Sequence, residues 1–257
     1  MEYSNIFDVH AHYGDEKFDE DREELINSLP SMGVKSVINA SVDLKTAAKV
    51  LEFTQKYPHF YGAVGIHPEN LENLEDDYLD RLTDLYTNNE KIVAIGEIGL
   101  DYYWDIPKEP QQKVFEEQLK LAVELGAPVV IHDREAHADT MRLLKKYKPE
   151  KALLHCYSSS KEMLKEVVAM GAFISLGGVV TFKNARVPLE VAEAVPLSRL
   201  MLETDCPYLA PVPFRGKRNS SEKIALVAEK IAELKSIEPQ KLIDICTENA
   251  ERFFSIN

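Results

Sequence analysis

Histidines and carboxylates gather where short apolar runs of this chain end. Asp8-Val9-His10-Ala11-His12 closes one run, Gly96-Glu97 a second, Ile131-His132 a third, Leu154-His155 a fourth and Glu203-Thr204-Asp205 a fifth. Four of the seven histidines stand at such ends, so the placement is a set rather than a scatter. Side chains alternate along a strand with period two, which sends His10 and His12 to one side and gives Glu203 and Asp205 the same relation. Two imidazoles held together disfavour protons and invite a divalent cation. A lone His-x-His is more often an accident than a site. Six ligand-type residues at five run ends, His10, His12, Glu97, His132, His155 and Asp205, are not. They offer more donors than one ion needs. Two ions sharing a bridging carboxylate would use them, in a centre where the ions lie roughly 3.5–4 Å apart and clamp attacking and leaving oxygens. Imidazole-rich ligation suits zinc, manganese or iron, and carboxylates with a phosphate also admit magnesium. His59, after Tyr57-Pro58, and His137, inside a predicted helix, are given no such role.

The elements that must position these residues alternate. Strands are predicted over Ile6–His10, Ser36–Ser41, Phe60–Ile66, Ile92–Glu97, Pro128–His132, Ala152–His155, Ala172–Leu176 and Leu200–Thr204. Most are apolar on both faces, as parallel strands covered on both sides must be. Between them run helical patterns. Glu109–Gly126 carries Phe115, Leu119 and Ala122 at helical spacing, with Pro110 in its first turn and Gly126 at its end. Glu222–Lys235 follows a Ser220-Ser221 start signal, and a last helix opens at Pro239. Eight units in 257 residues average about 32 each, the length of a βα unit. The expected fold is α/β, a single-domain (β/α)8 TIM-type barrel over residues 1–257, with its chemistry on the rim where strands end.

A chain that is 45 % hydrophobic and 28 % charged has the material for a large core, which excludes a disordered or fibrous protein. Its net charge of −13 repels phosphate backbones over most of the surface, so any DNA must be met at a local site with bound cations. No apolar run is long enough to span a bilayer, and Met1-Glu2-Tyr3-Ser4-Asn5 does not read as a secretory start. Cys156, Cys206 and Cys246 are odd in number and unrelated in spacing, which points to a reducing cytoplasm rather than a disulfide scaffold. No membrane and no obligate protein partner are expected.

These residues sit inside longer strings: Gly65-Ile66-His67-Pro68, Gly96-Glu97-Ile98-Gly99-Leu100-Asp101-Tyr102-Tyr103, Val130-Ile131-His132-Asp133-Arg134-Glu135-Ala136, Leu154-His155-Cys156-Tyr157-Ser158, Val180-Thr181-Phe182-Lys183-Asn184 and Glu203-Thr204-Asp205-Cys206-Pro207-Tyr208-Leu209-Ala210-Pro211. In order and in combination, from Ile6 to Phe254, the chain resembles the TatD family of metal-dependent deoxyribonucleases, among the amidohydrolase-like barrels. The resemblance implies a centre of two divalent ions, Mg²⁺ or Mn²⁺ for activity with Zn²⁺ as an alternative, that hydrolyses DNA phosphodiesters, often from the 3′ end of single strands. It implies His10, His12 and Asp205 as ligands of a first ion, Glu97 as the bridge, and His132 and His155 as ligands of a second. Two rim strings depart from the family's usual pattern, Tyr157-Ser158-Ser159-Ser160 and the Ser220-Ser221 that follows Arg218-Asn219. Both bear on substrate preference more than on hydrolysis.

Asp205 and Glu97 are the expected catalytic pair, with Asp205 able to take the proton of the attacking water. Glu203 is expected to face the same way as Asp205 and orient a neighbour, and Asp8 and Asp101 either do the same or hold the rim together. His67 and Arg134 are expected to contact the phosphate. Tyr102, Tyr103 and Trp104 could stack on bases or simply pack within their loop, and the Arg215–Arg218 loop could be cationic lining or a solvated face. Alternation should turn Cys156 and Cys206 away from the cations. The ligand set alone also allows hydrolysis of another ester, such as a D-aminoacyl-tRNA ester or a small phosphoester.

Overall fold

A computed structural model describes residues 3–72 and 74–256, so Met1 and Glu2 of the opening pentapeptide lie outside it. Among the described residues, β1 (Ile6–Ala11), β2 (Val34–Ala40), β3 (Phe60–Val64), β4 (Ile92–Asp101), β5 (Val129–Arg134), β6 (Ala152–Leu154), β7 (Phe173–Leu176) and β8 (Leu200–Leu202) form one parallel sheet in that order. Closure comes just beyond β8. Ala11 bridges to Cys206, the His12 amide donates to the Cys206 carbonyl at 2.7 Å, and the Asp205 amide donates to the His10 carbonyl at 3.0 Å. Helices α1 (Arg22–Ser28), α2 (Leu44–Lys56), α3 (Tyr78–Thr87), α4 (Lys108–Leu125), α5 (His137–Tyr147), α6 (Lys161–Ala169), α7 (Arg186–Ala194) and α8 (Ile224–Lys235) cover the outside. A further helix, α9 (Pro239–Phe254), follows. The barrel expected from the alternation is the one observed, and no described helix is long and apolar enough to cross a membrane.

Element ends differ from the sequence expectation in instructive places. β4 runs four residues past Glu97 to Asp101, because Gly99 at φ +149° lets it stay against β5. A Cβ there would lie 1.9 Å from the His132 carbonyl oxygen, so no other residue fits without separating the strands that carry Glu97 and His132. β8 stops at Leu202, which leaves Glu203 and Asp205 outside the strand, and α8 begins at Ile224 behind a one-turn 3-10 segment. α4 ends as expected at Gly126, which is left-handed at φ +63° and donates its amide back to Ala122 and Val123.

Two apolar layers hold the architecture. One lies between the sheet and the helices and takes residues such as Ile6, Val37, Ile95, Phe115 and Leu119. The other draws on every strand, with Phe7, Ile38, Ala63, Ala94, Val130, Leu153, Phe173 and Met201, which only the barrel interior can bring together. The end of α9 joins it through Ala250, Phe253 and Phe254 and closes the N-terminal mouth.

Candidate metal centre

At the opposite mouth the strand ends bring His10, His12, Glu97, His132, His155 and Asp205 together, and His67 joins them from the segment after β3. Donor atoms gather within 4.8 Å of one another in three sets: His10, His12 and Asp205; His10, Glu97 and His155; His67, Glu97 and His132. His12, His67, Glu97, His132, His155 and Asp205 line a cavity of about 760 Å³, and His10 lies fully buried beneath them.

Glu97 divides the cluster. Its Oε2 faces His10 Nε2 at 3.2 Å and His12 Nε2 at 3.4 Å, and Asp205 Oδ1 stands 3.4 Å from the same His12 nitrogen. Its Oε1 faces His132 Nδ1 at 2.8 Å, His155 Nε2 at 2.8 Å and His67 Nε2 at 3.4 Å. One carboxylate thus offers one oxygen to each of two ligand groups. The nitrogens of His10 and His12 approach to 3.0 Å, a spacing that two lone pairs tolerate only around a shared proton or cation. Borderline nitrogen and hard oxygen donors in this arrangement fit divalent ions.

What stands behind each ring differs among these histidines. His12 Nδ1 lies 3.1 Å from the Ala40 carbonyl, His132 Nε2 lies 2.9 Å from Asp101 Oδ2, and His155 Nδ1 has Glu203 Oε2 behind it at 3.7 Å. At His12 and His132 the acceptor behind the ring holds the proton there and turns the other nitrogen's lone pair into the site, whereas Nδ1 of His10 and of His155 is buried without a hydrogen-bond partner. His67 is the reverse. Its Nδ1 accepts from the Glu69 amide at 3.2 Å, so the neutral ring carries its proton on Nε2, facing the cavity as a donor.

Charge is shared tightly. Burial pushes the Glu97 carboxyl up, but the imidazoles packed around it, His155 first, outweigh it and hold it well below the carboxylate range. Burial opposes charging His12, yet hydrogen bonds to Asp205 and Glu97 push its pKa up to about 10. His132 rises to about 9 against the same burial, through Asp101 and Glu97. Asp205 is held low despite its burial by the hydrogen bond and charge of His12. Without a cation, protons on the imidazoles hold this cluster together, and a cation must displace them.

The supporting residues lie close behind. Asp8 accepts from Thr204 N at 3.0 Å, Thr204 Oγ1 at 2.5 Å and Ser221 Oγ at 2.7 Å, tying β1 to the segment after β8. It holds the rim rather than a ligand. Asp101 backs His132. Two residues escaped the sequence reading. Gln118 of α4 accepts from Ile66 N at 2.8 Å and donates to Ile66 O at 3.1 Å, and Gln111 clasps the Asp101 backbone the same way at 2.8 Å on both sides. These amides set the segments that carry His67 and Asp101. Glutamines on the apolar face of an amphipathic helix were the available signal.

Several expectations are corrected. Glu203 does not share Asp205's direction. It bonds Ser175 and backs His155, because β8 has ended and Asp205 adopts a left-handed φ of +56° that breaks the alternation. Cys156 likewise lines the cavity rather than turning away, at a left-handed φ of +43° just past β6. Cys206 is buried and does not line the cavity, in keeping with the expectation that it turns away. Arg218 is taken up by Asp21, through two bonds of 2.6 Å, and Arg215 lies over the Phe182 ring. Arg134 lines the cavity. His59 packs edge-on to Phe60, and His137 pairs with Asp133 at 2.8 Å.

Residues 7–255 match the family described as TatD related DNase. The chain is 42 % identical over 255 residues to an uncharacterized metal-dependent hydrolase, YabD, of Bacillus subtilis, covering 98 % of this chain and all of that one. It is 33 % identical over 239 residues to an uncharacterized metal-dependent hydrolase, TatD, of Mycobacterium tuberculosis, covering 90 % of each. Among solved structures, the TatD homologue YjjV of Escherichia coli superposes with a TM-score of 0.93 at 31 % identity, over 98 % of this chain and 99 % of that one. The chain belongs to the TatD family of metal-dependent hydrolases.

Proposed function

We propose that this protein is a cytoplasmic deoxyribonuclease that hydrolyses DNA phosphodiester bonds with two divalent ions, Mg²⁺ or Mn²⁺, removing nucleotides from the 3′ ends of single strands. The observation that carries the reading is the division of Glu97, one oxygen toward His10, His12 and Asp205 and the other toward His132 and His155. Each group would hold one cation. Bound there, the ions would supply polarisation of the phosphate oxygens and a lowered pKa for the attacking water.

The chain's own residues do the rest. Asp205, kept ionised by His12, accepts the proton of the attacking water on its carboxylate. His67, with its Nε2 proton toward the cavity, donates to a phosphate oxygen, and Arg134 at the rim meets the phosphate's charge. Asp101 and Glu203 hold His132 and His155 in orientation. A surface of net charge −13 leaves the substrate to be captured at this mouth and not along the molecule.

Labelled single- and double-stranded oligonucleotides, incubated with the protein and Mg²⁺ or Mn²⁺, test the reading. Stepwise shortening from the 3′ end is expected, faster on single strands. No cleavage with any ion, beside turnover of small phosphoesters or D-aminoacyl esters, would move the activity to another ester.

A further inference from the structure

The segment that follows β4 lifts two aromatic rings out of the fold beside the centre. Tyr103 and Trp104 are 51 % and 49 % exposed, whereas Tyr102 before them is committed to packing. Its hydroxyl donates to Asp139 at 2.9 Å and accepts from Gln112 at 2.7 Å. The two exposed rings meet edge to face, with centroids 4.9 Å apart and planes at 84°. The Tyr103 amide donates to Asp101 Oδ1 at 2.9 Å, so the carboxylate that backs His132 also anchors the aromatic turn. From β5, the Arg134 guanidinium lies 3.7 Å from the Tyr103 centroid and 5.7 Å from that of Trp104. Trp104 and Arg134 line the same cavity as Glu97 and His132.

Half-exposed aromatic rings contribute little to a core, and a guanidinium stacked on one keeps its N–H groups free at its edge. A flat apolar face and a cation, fixed to the backing of a ligand, suit a partner with an aromatic ring on one side and a phosphate on the other. We propose that Trp104 and Tyr103, braced by Arg134, form a stacking platform for the nucleobase beside the phosphate under attack. The platform selects substrates whose base is unpaired and present over base-free phosphodiesters. It rests on the nuclease reading above, and it adds the part of the substrate that this chain reads.

Trp104 is the only tryptophan in the chain, so its fluorescence reports the platform directly. With Mg²⁺ present, thymidine 5′-monophosphate is expected to quench the emission saturably, and 2-deoxyribose 5-phosphate at the same concentrations is not. Equal quenching by the two, or none by either, overturns the platform whether or not the protein cuts DNA. In the kinetic arm, an oligonucleotide with an abasic 3′ end should show a KM about tenfold above its normal counterpart, since base–aromatic stacking has about that weight. That ratio should fall toward one in Trp104→Ala and persist in Trp104→Phe. Hydrolysis of DNA with an unchanged ratio in Trp104→Ala would sink the platform and leave the nuclease reading standing. Failure to cut any DNA would sink the nuclease reading, with the fluorescence arm still deciding on the base.

Discussion

The two mouths of this barrel are made by the same strands and have opposite chemistry. At the N-terminal mouth Phe7, Phe173 and Met201 pack with Phe253 and Phe254 of α9, with ring centroids 5.4 Å apart for Phe173 and Phe253 and 4.8 Å for Phe253 and Phe254. At the C-terminal mouth His10, Glu97 and His155 are just as buried but polar. β1 crosses from one regime to the other. Phe7 and Val9 belong to the apolar plug and His10 and His12 to the donor cluster, with the change falling where the β1–β2 register shifts between Asp8 and Ala11. Stability is concentrated at one end, which lets the other hold charges that resist burial.

The largest effect should come from the plug. Phe253→Ala removes a ring that is 1 % exposed and should lower unfolding stability by about 3–5 kcal/mol. Below its lowered melting temperature the variant should keep its metal content and turnover per folded molecule. Urea unfolding and elemental analysis check this. A loss under about 1 kcal/mol, or parallel loss of metal, would break the division between the two ends.

Glu97→Gln makes the complementary change. It keeps the side-chain volume and removes the charge shared by both ligand groups, so hydrolysis should fall on the order of a hundredfold or more. Metal content should drop on both sides of the bridge, whereas Asp205→Asn should weaken only the side with His10 and His12. The melting temperature of the metal-free Glu97→Gln protein should move less than that of Phe253→Ala. Full metal occupancy in Glu97→Gln would remove it as the bridge.

Much of this division can be read in the sequence, for a physical reason. Residues such as His10, Glu97 and His132 end runs whose apolar pattern already marks them as strands, so one local signal gives both the element and the side chain's place on the rim. Reading failed where a backbone angle or a distant partner decides. The left-handed turns at Cys156 and Asp205 redirect side chains that alternation had assigned, and no local rule announces them. Gly99 extends β4 because of what stands opposite it in β5. Whether Arg218 lined the mouth stayed open in the sequence, because the partner that takes it up, Asp21, is 197 positions away.

Removing the cations should reverse the sign of the pH response at the polar mouth. In chelated protein His12 and His132 titrate near 10 and 9, above the ordinary value of about 6.5. A raised pKa stabilises the fold fully below about pH 6.5, and that contribution is lost as pH climbs through about 9 and 10. The melting temperature of chelated protein should therefore fall between pH 7 and 9. With saturating Mn²⁺ it should hold or rise over the same span, because the ion competes with those protons. Differential scanning fluorimetry separates the two, and a chelated protein that gains stability toward pH 9 would contradict the charge sharing described here.

The smallest effect distinguishes two arginines near the polar mouth. Arg218 binds both Asp21 carboxylate oxygens at 2.6 Å and the Lys17 carbonyl at 2.8 Å, with its guanidinium 4.8 Å from the Phe18 ring centroid. The pair is partly exposed, so Arg218→Ala should cost about 0–1 kcal/mol. Its charge is already matched by Asp21, and the KM for an oligonucleotide should stay within about twofold of wild type, a change of under about 0.5 kcal/mol. Arg134 is held instead against the Tyr103 ring and lines the cavity itself, so Arg134→Ala should raise KM several times more. If the two variants raised KM equally, the mouth would be attracting DNA through its summed field rather than through particular contacts, and raising the salt concentration would weaken both alike. A KM that responds to Arg134 and not to Arg218 would instead mean that capture depends on which cation faces the cavity.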